Sequence, residues 1–265
     1  MLNDTNYLVW DVTPEIFSVG GITPRWYGIL FALAFLLAFH MMRWMYKREN
    51  RDVNNLNYLL WYSIIGAIIG ARLGHCLFYD PLYYLQNPLK IFAVWEGGLA
   101  SHGGIIGVLL GAYFYKRKIE DSYLWLLDRI VLPAVLGGFF IRMGNLFNSE
   151  IVGIPATVPW AVIFKRIDSI PRHPVQVYEA LSYALIFVCL MYIYKHYSNR
   201  IKDGLIFGLA VTAVFTTRFF LEFVKTRQAH YAAEFGLSVG QMLSLPFILL
   251  GVWLVLQAWR RRAAE

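Results

Sequence analysis

The chain has 265 residues, of which 58% are hydrophobic and 15% charged, with a formal net charge of +7. A soluble domain carries about 25% charged residues, so the composition excludes an ordinary soluble protein. Two cysteines exclude a disulfide framework, no Cys/His spacing suggests a metal site, and the basic residues flank apolar runs rather than forming a nucleic-acid motif.

The first residues, MLNDTNYLVWDV, have no basic stretch ahead of an apolar one. No cleavable signal peptide is expected there, and the first span should act as its own targeting signal. Residues 8–25 place a Gly-Gly turn signal between short apolar pieces. Seven apolar runs follow, over 26–44, 57–79, 99–115, 122–145, 174–194, 204–223 and 237–259. Their lengths, about 17 to 24 residues, suit a hydrocarbon core about 30 Å thick. Trp26, Trp44, Trp61, Tyr79, Trp95, Tyr113, Trp125 and Trp259 mark run ends, as interfacial aromatics do.

The connections alternate in charge. Arg43, Lys47, Arg48, Arg51, Lys116, Arg117, Lys118, Lys195, Arg200, Lys202 and Arg260 to Arg262 cluster in short segments. Fewer cations are spread over the longer ones. The positive-inside rule then puts the N-terminus outside and the C-terminus in the cytoplasm. Residues 151–172 combine prolines with alternating apolar residues, a pattern of short strands and turns. The predicted fold is an all-α polytopic membrane protein, one integral domain over 1–265. It has seven transmembrane helices and a small periplasmic cap of short strands and loops from 8–25 and 146–173.

Charges inside such spans cost about 2.5–3.5 kcal/mol each on insertion scales, so each needs a partner or a task. Arg129 follows Asp128 near a span end, where interface snorkelling would explain it. Arg72 lies beside Gly66, Gly70 and Gly74, whose i, i+4, i+8 spacing permits close helix packing. Its reading stays open between a structural role and a cavity lining. Arg142, Asn145 and Asn148 follow at three-residue steps, so successive turns present them near one side, with Glu150 and Gly153 just beyond. Arg218 and Glu222 are spaced i, i+4 and could pair locally or complete the same cavity. A lone His is more often structural, but His102 has Gly97 and Gly98 before it and Gly103 and Gly104 after it, which leave the backbone around the ring open to close approach. An imidazole suits a general base. Tyr27 opens the first span as an interfacial anchor or a site residue. His173 and Gln176 read as capping groups, and Glu179 needs a partner. Guanidinium forks match phosphate oxygens, and no nucleotide-binding loop is present. A membrane-lipid phosphate is therefore the ligand that physics favours.

The stretches WEGGLASHGGIIG, IRMGNLFNSEIVG, RHPVQVYEA, RFFLEFVK and LSVGQMLSLP, in this order, resemble the motif set of bacterial prolipoprotein diacylglyceryl transferases. The resemblance runs from Arg25 to Pro246. It implies transfer of the diacylglyceryl group of phosphatidylglycerol to the thiol of the lipobox Cys of a preprolipoprotein, without metal or cofactor, at the bacterial inner membrane. It further implies that Tyr27, His102, Arg142, Asn145, Glu150, Gly153, Arg218 and Glu222 serve that reaction. On this reading Arg142 and Arg218 grip the phosphate and His102 takes the thiol proton. Asn145, Asn148 and Glu150 orient Arg142 and the headgroup, and Glu222 holds Arg218. The chain departs from the family pattern at Ile141 and Ser149, where the family carries Gly, and after Phe223, where it reads Val224, Lys225, Thr226, Arg227, Gln228. Lys225 and Arg227 are therefore left without a role. A lipid flippase would use the same cations but usually shows an internal repeat, which is missing here. An intramembrane hydrolase would need an activated Ser, for which only Ser101 beside His102 offers.

Overall fold

The structure is a computed structural model that describes residues 7–18, 20, 23–94, 97–98, 100–119, 121–197, 201–226 and 237–263. Among them, six helices are long and apolar enough to cross a membrane, and a small three-stranded sheet accompanies them. The protein is thus an all-α polytopic membrane protein. The helices are α1 (Trp26–Arg48), α2 (Asn55–Phe78), a short α3 (Pro81–Gln86), α4 (Ser101–Lys116), α5 (Tyr123–Asn148), α6 (Val175–Tyr197), α7 (Leu205–Leu221) and α8 (Val239–Ala263). The third predicted span corresponds to α4, which has 16 residues. At 1.5 Å per residue it falls short of a ~30 Å hydrocarbon core. The described chain forms two compact units, Met1–His40 with Asp128–Glu265, and Met41–Leu127.

In the second unit, α2 packs on α4 through two facing rows of glycine. Gly66, Gly70 and Gly74 lie against Gly107, Gly103 and Ala100, and Gly111 lies against the Tyr62 carbonyl. A methyl group added at Gly107 would overlap the Gly66 carbonyl and approach Gly70 Cα to 3.1 Å. In lipid, where apolar association gains nothing over the tails, such backbone approach is what holds helices together. Gly103 and Gly104 both face α2, so the openness read around His102 serves helix packing at these two positions.

Arg72 resolves as a structural residue. It is 3% exposed. Its guanidinium donates to the carbonyls of Ile91 at 2.9 Å, Gly97 at 2.5 Å, Gly98 at 3.3 Å and Lys90, and lies over the Tyr84 ring at 5.1 Å. One buried cation thereby joins the 3-10 turn Pro88–Phe92 to Gly97 and Gly98, ahead of α4. Gly98, at φ +68°, adopts a backbone conformation that side chains rarely reach.

In the first unit, Leu146, Val152, Val162 and Phe164 make a small core with Trp10, Met143 and Val177 packed on it. The strands β1 (Leu8–Trp10), β2 (Val162–Phe164) and β3 (Pro171–Arg172) form one sheet in that order. β1 runs parallel to β2, with Leu8 opposite Val162, and β2 runs antiparallel to β3. These strands fall in the two segments predicted to hold them. Phe147 stacks on Trp26 at 5.0 Å and meets Trp10 edge-on at 5.8 Å. The apolar face of the last α5 turn is thus fixed against the sheet, which turns Arg142 and Asn145 the other way.

Residues 152–154 pair through their backbone on both sides. Gly153 N donates to His173 O at 3.0 Å and His173 N to Ile154 O at 3.1 Å. On the other edge, Ile154 N donates to Val224 O at 3.0 Å and Thr226 N to Val152 O at 3.2 Å. A Cβ at Gly153 would lie 2.6 Å from His173 Cβ and 2.7 Å from Val224 O, so only glycine fits between the two partners.

Arg129 does not snorkel. It is 7% exposed, 3.9 Å from Asp128 and 5.9 Å from the Tyr194 ring, so it is buried among protein groups. Asp128 itself caps α7, accepting from Gly204 N at 2.8 Å and Phe207 N at 2.7 Å. Removing this carboxylate orphans two amides at the start of a membrane helix. Asp128→Ala should lose about 1–3 kcal/mol of stability, read as a lower unfolding temperature in detergent, with Asp128→Asn retaining part because its amide oxygen still accepts.

Candidate active site

The ends of α5, α6 and α7 bring a network of ionised side chains together in the first unit. Arg142 on α5 is its hub. Its Nη1 donates to Asn145 Oδ1 at 3.2 Å, and its Nε lies 2.8 Å from Glu179 Oε2 on α6. That approach is off the hydrogen-bond direction, so the two are paired by charge alone. Tyr183, one turn further along α6, lies within the electrostatic reach of the Arg142 guanidinium. Asn145 Nδ2 and Asn148 Nδ2 each donate to a different oxygen of Glu150 at 3.1 Å. Gln176 Nε2 donates to the Glu150 carbonyl at 2.5 Å. The ladder Arg142–Asn145–Glu150–Asn148 is therefore continuous. Asn148 reaches Glu150 rather than Arg142.

Glu150 owes its position to an unusual helix end. Ser149 and Ile151 flank it at φ +55° and +58°, and Glu150 N donates back to Asn145 O at 2.9 Å. The first of these is a left-handed helix-ending position that glycine fills without strain. Ser149 is where the family pattern has Gly, and its buried hydroxyl has no hydrogen bond among the described residues. Ser149→Gly should therefore stabilise the protein by about 1 kcal/mol, measured as a rise in unfolding temperature; an unchanged or lower value would contradict the strain at this turn.

The sequence assigns Lys225 no role, and the structure buries it at the centre of this network. It lies one residue beyond the span Leu205–Val224 and is 6% exposed. Its Nζ is 3.9 Å from both Glu179 Oε1 and Glu222 Oε2. Burial pulls its ammonium below the ordinary lysine range, while the two carboxylates oppose that pull. The expected Arg218–Glu222 ion pair does not form among the described residues. Residues Glu222–Val224 make a 3-10 turn, in which side chains three apart eclipse. Glu222 thus faces Lys225, and its carboxylate lies where a Cβ on Gly240 of α8 would be, 2.5 Å from Oε1. Arg218 makes no hydrogen bond or ion pair among the described residues, yet it acts electrostatically on Tyr183 and Lys225, as Arg142 does. Both arginines thus bear electrostatically on the same two groups.

Tyr27 packs its ring over Gly144, where a Cβ would fall 2.6 Å from Cδ2, and feels both Glu150 and Arg142. Gly153 closes the backbone turn beyond Glu150. His173 Nδ1 is 3.1 Å from the Tyr178 hydroxyl, which accepts from Trp160 Nε1 at 2.7 Å. Arg172 holds Asp168 at 2.5 Å, which keeps that carboxyl below its usual range. His102 is in the first turn of α4, in the second unit; its side chain and that of Ser101 lie outside the described residues, as does Arg227.

The family model described as prolipoprotein diacylglyceryl transferase matches residues 14–257. This chain belongs to that family. It is 51% identical to the phosphatidylglycerol–prolipoprotein diacylglyceryl transferase of Chloroherpeton thalassium over 265 residues, 100% of this chain and 99% of that one. The protein of the same name from Tolumonas auensis is 48% identical over 257 residues, covering 97% of this chain and 99% of its own. That from Bacteroides fragilis is 39% identical over 269 residues, 97% of each. Family membership covers both compact units, and so includes His102 as well as the network around Arg142.

Proposed function

We propose that the network of Arg142, Glu179, Lys225 and Arg218 is where this transferase holds the phosphate of its lipid substrate. The enzyme moves the diacylglyceryl group of phosphatidylglycerol to the thiol of the lipobox Cys of preprolipoproteins. Sulfur bonds to the glycerol carbon, the bond from that carbon to the phosphate oxygen breaks, and glycerol phosphate leaves with the electron pair. It works in the bacterial inner membrane as a multi-pass protein.

The observation that carries the site reading is the contrast between the two arginines. Arg142 is already matched by Glu179 and Asn145, whereas Arg218 has no matching carboxylate among the described residues. Arg218 is thus the cation left over for a phosphate. Arg142, oriented by Asn145 and the Glu150–Asn148 pair, supports it from the same environment. Guanidinium groups fixed where charge builds on the leaving phosphate lower the barrier to its departure. His102 accepts the thiol proton, since little of a free Cys is thiolate at neutral pH. Gly98, Gly103, Gly104 and Gly153 serve the site indirectly, by the close packing they permit against Arg72 and His75, against α2, and between His173 and Val224, and Tyr27 lines the headgroup side. Both compact units serve one reaction as a single membrane domain. In that arrangement α4 is a seventh span, the N-terminus and the strands lie on the periplasmic side, and the C-terminus is cytoplasmic, as the clustered cations require.

The deciding experiment combines the purified protein, phosphatidylglycerol vesicles and a lipobox peptide. Release of glycerol phosphate with a matching mass gain on the peptide is the expected result. Transbilayer lipid movement with neither product would mean a flippase instead. Thiol labelling of single cysteines introduced at Glu15 and Lys118 tests the orientation: only the first should react from outside.

A further inference from the structure

The phosphate reading leaves part of the network unexplained. Among the described residues, Glu222 Oε2 and Gln176 Oε1 are buried acceptors without a hydrogen bond, and Glu179 Oε2 meets only the misaligned Nε of Arg142. Glu179 and Gln176 are 1% and 0% exposed, so these are not surface groups served by bulk water. Buried acceptors without donors are unfavourable, and a ligand that brings donors to them gains by it. Two headgroup chemistries can do so. A glycerol headgroup offers neutral hydroxyls. An ethanolamine headgroup offers an ammonium, which two carboxylates would ordinarily prefer.

Lys225 stands where that ammonium would go. Its Nζ is equidistant from Glu179 and Glu222, at 3.9 Å. Its backbone is bridged to Gly153 and its neighbours Val224 and Thr226 are bonded to Ile154 and Val152, which holds its Cα beside the two carboxylates, and its side chain is 5% exposed. We propose that Lys225 is a specificity-determining residue, a built-in ammonium that fills the cationic place between Glu179 and Glu222 and so admits hydroxylic headgroups while rejecting ammonium ones. This rests on the phosphate of the same lipid lying at Arg218. With the phosphate there, the headgroup beyond it reaches the Lys225 side of the network. A hydroxyl can donate to the spare carboxylate oxygens beside a fixed ammonium. A second ammonium would meet a like charge, and like-charge juxtaposition is how interfaces reject wrong partners.

The test compares wild type, Lys225→Arg and Lys225→Met as full-length proteins in mixed vesicles. Phosphatidylglycerol is diluted either with phosphatidylethanolamine or with phosphatidylcholine, whose methylated cation has no N–H to donate. In wild type and Lys225→Arg the two diluents should slow turnover equally. In Lys225→Met, phosphatidylethanolamine should inhibit roughly tenfold more than phosphatidylcholine. Equal inhibition in Lys225→Met would overturn the proposal. Should Lys225→Met turn over too slowly to measure, mass spectrometry of the lipids that copurify with it decides. Enrichment of phosphatidylethanolamine over wild type supports the proposal, and an unchanged lipid ratio overturns it. The phosphate reading fails separately, through full turnover by Arg218→Ala in vesicles of pure phosphatidylglycerol.

Discussion

Arg218→Ala should lower glycerol phosphate release by roughly 10²–10³ in kcat while leaving the unfolding temperature close to that of wild type. The two readouts separate because Arg218 has no ion pair or hydrogen bond among the described residues that the protein would lose. Arg142→Ala makes the informative contrast. It should also abolish turnover, but it removes the closest cation from Glu179, whose side chain is 1% exposed and whose other partner, Lys225, is 3.9 Å away. Leaving one member of a buried pair alone costs about 3–5 kcal/mol, so the Arg142 variant should unfold earlier as well. Arg218→Lys should recover part of the activity, since a point charge remains but the two-pronged fork is gone. If Arg218→Ala kept wild-type turnover, phosphate would have to be held elsewhere.

Gly107→Leu should be the most damaging change in the second unit. Here the neighbour of the missing side chain is the main chain of α2, at the Gly66 carbonyl and Gly70 Cα, neither of which can rotate away. Overpacking of ordinary cores costs about 1–3 kcal/mol and occasionally more; this contact belongs at the upper end, because one helix must move off the other. The expected outcome is poor recovery of folded protein in detergent and a marked drop in unfolding temperature. Gly104→Ala is the control, as its Cβ would meet the Ala71 methyl at an ordinary 3.5 Å. Equal loss in both variants would point away from packing.

Which parts of this arrangement could be read from sequence follows from how local each interaction is. Arg142, Asn145 and Glu150 are joined by spacings within one helix and its end, so three-residue steps sufficed to place them together. Glu179 could be recognised as a buried carboxylate in need of a partner, but not as the partner of Arg142, because nothing local ties α6 to α5. Lys225 was missed for the same reason: its charges come from two elements, and the residues after Phe223 depart from the family pattern. Arg218 and Glu222 misled, because i, i+4 spacing promises a pair only while the helix continues, and here the chain tightens into a 3-10 turn at Glu222. The glycines of α2 announced close packing, whereas the matching row on α4 was read as openness around His102. Composition cannot tell a glycine that faces a ligand from one that faces another helix.

The backbone pairing of residues 152–154 has an evolutionary consequence. The knot between the ends of α5, α6 and α7 is tied by amides and carbonyls, which every residue other than proline supplies alike. The pairing itself therefore asks nothing of the side chains of Ile154 and Val224, whereas Gly153 is the fixed point between His173 and Val224.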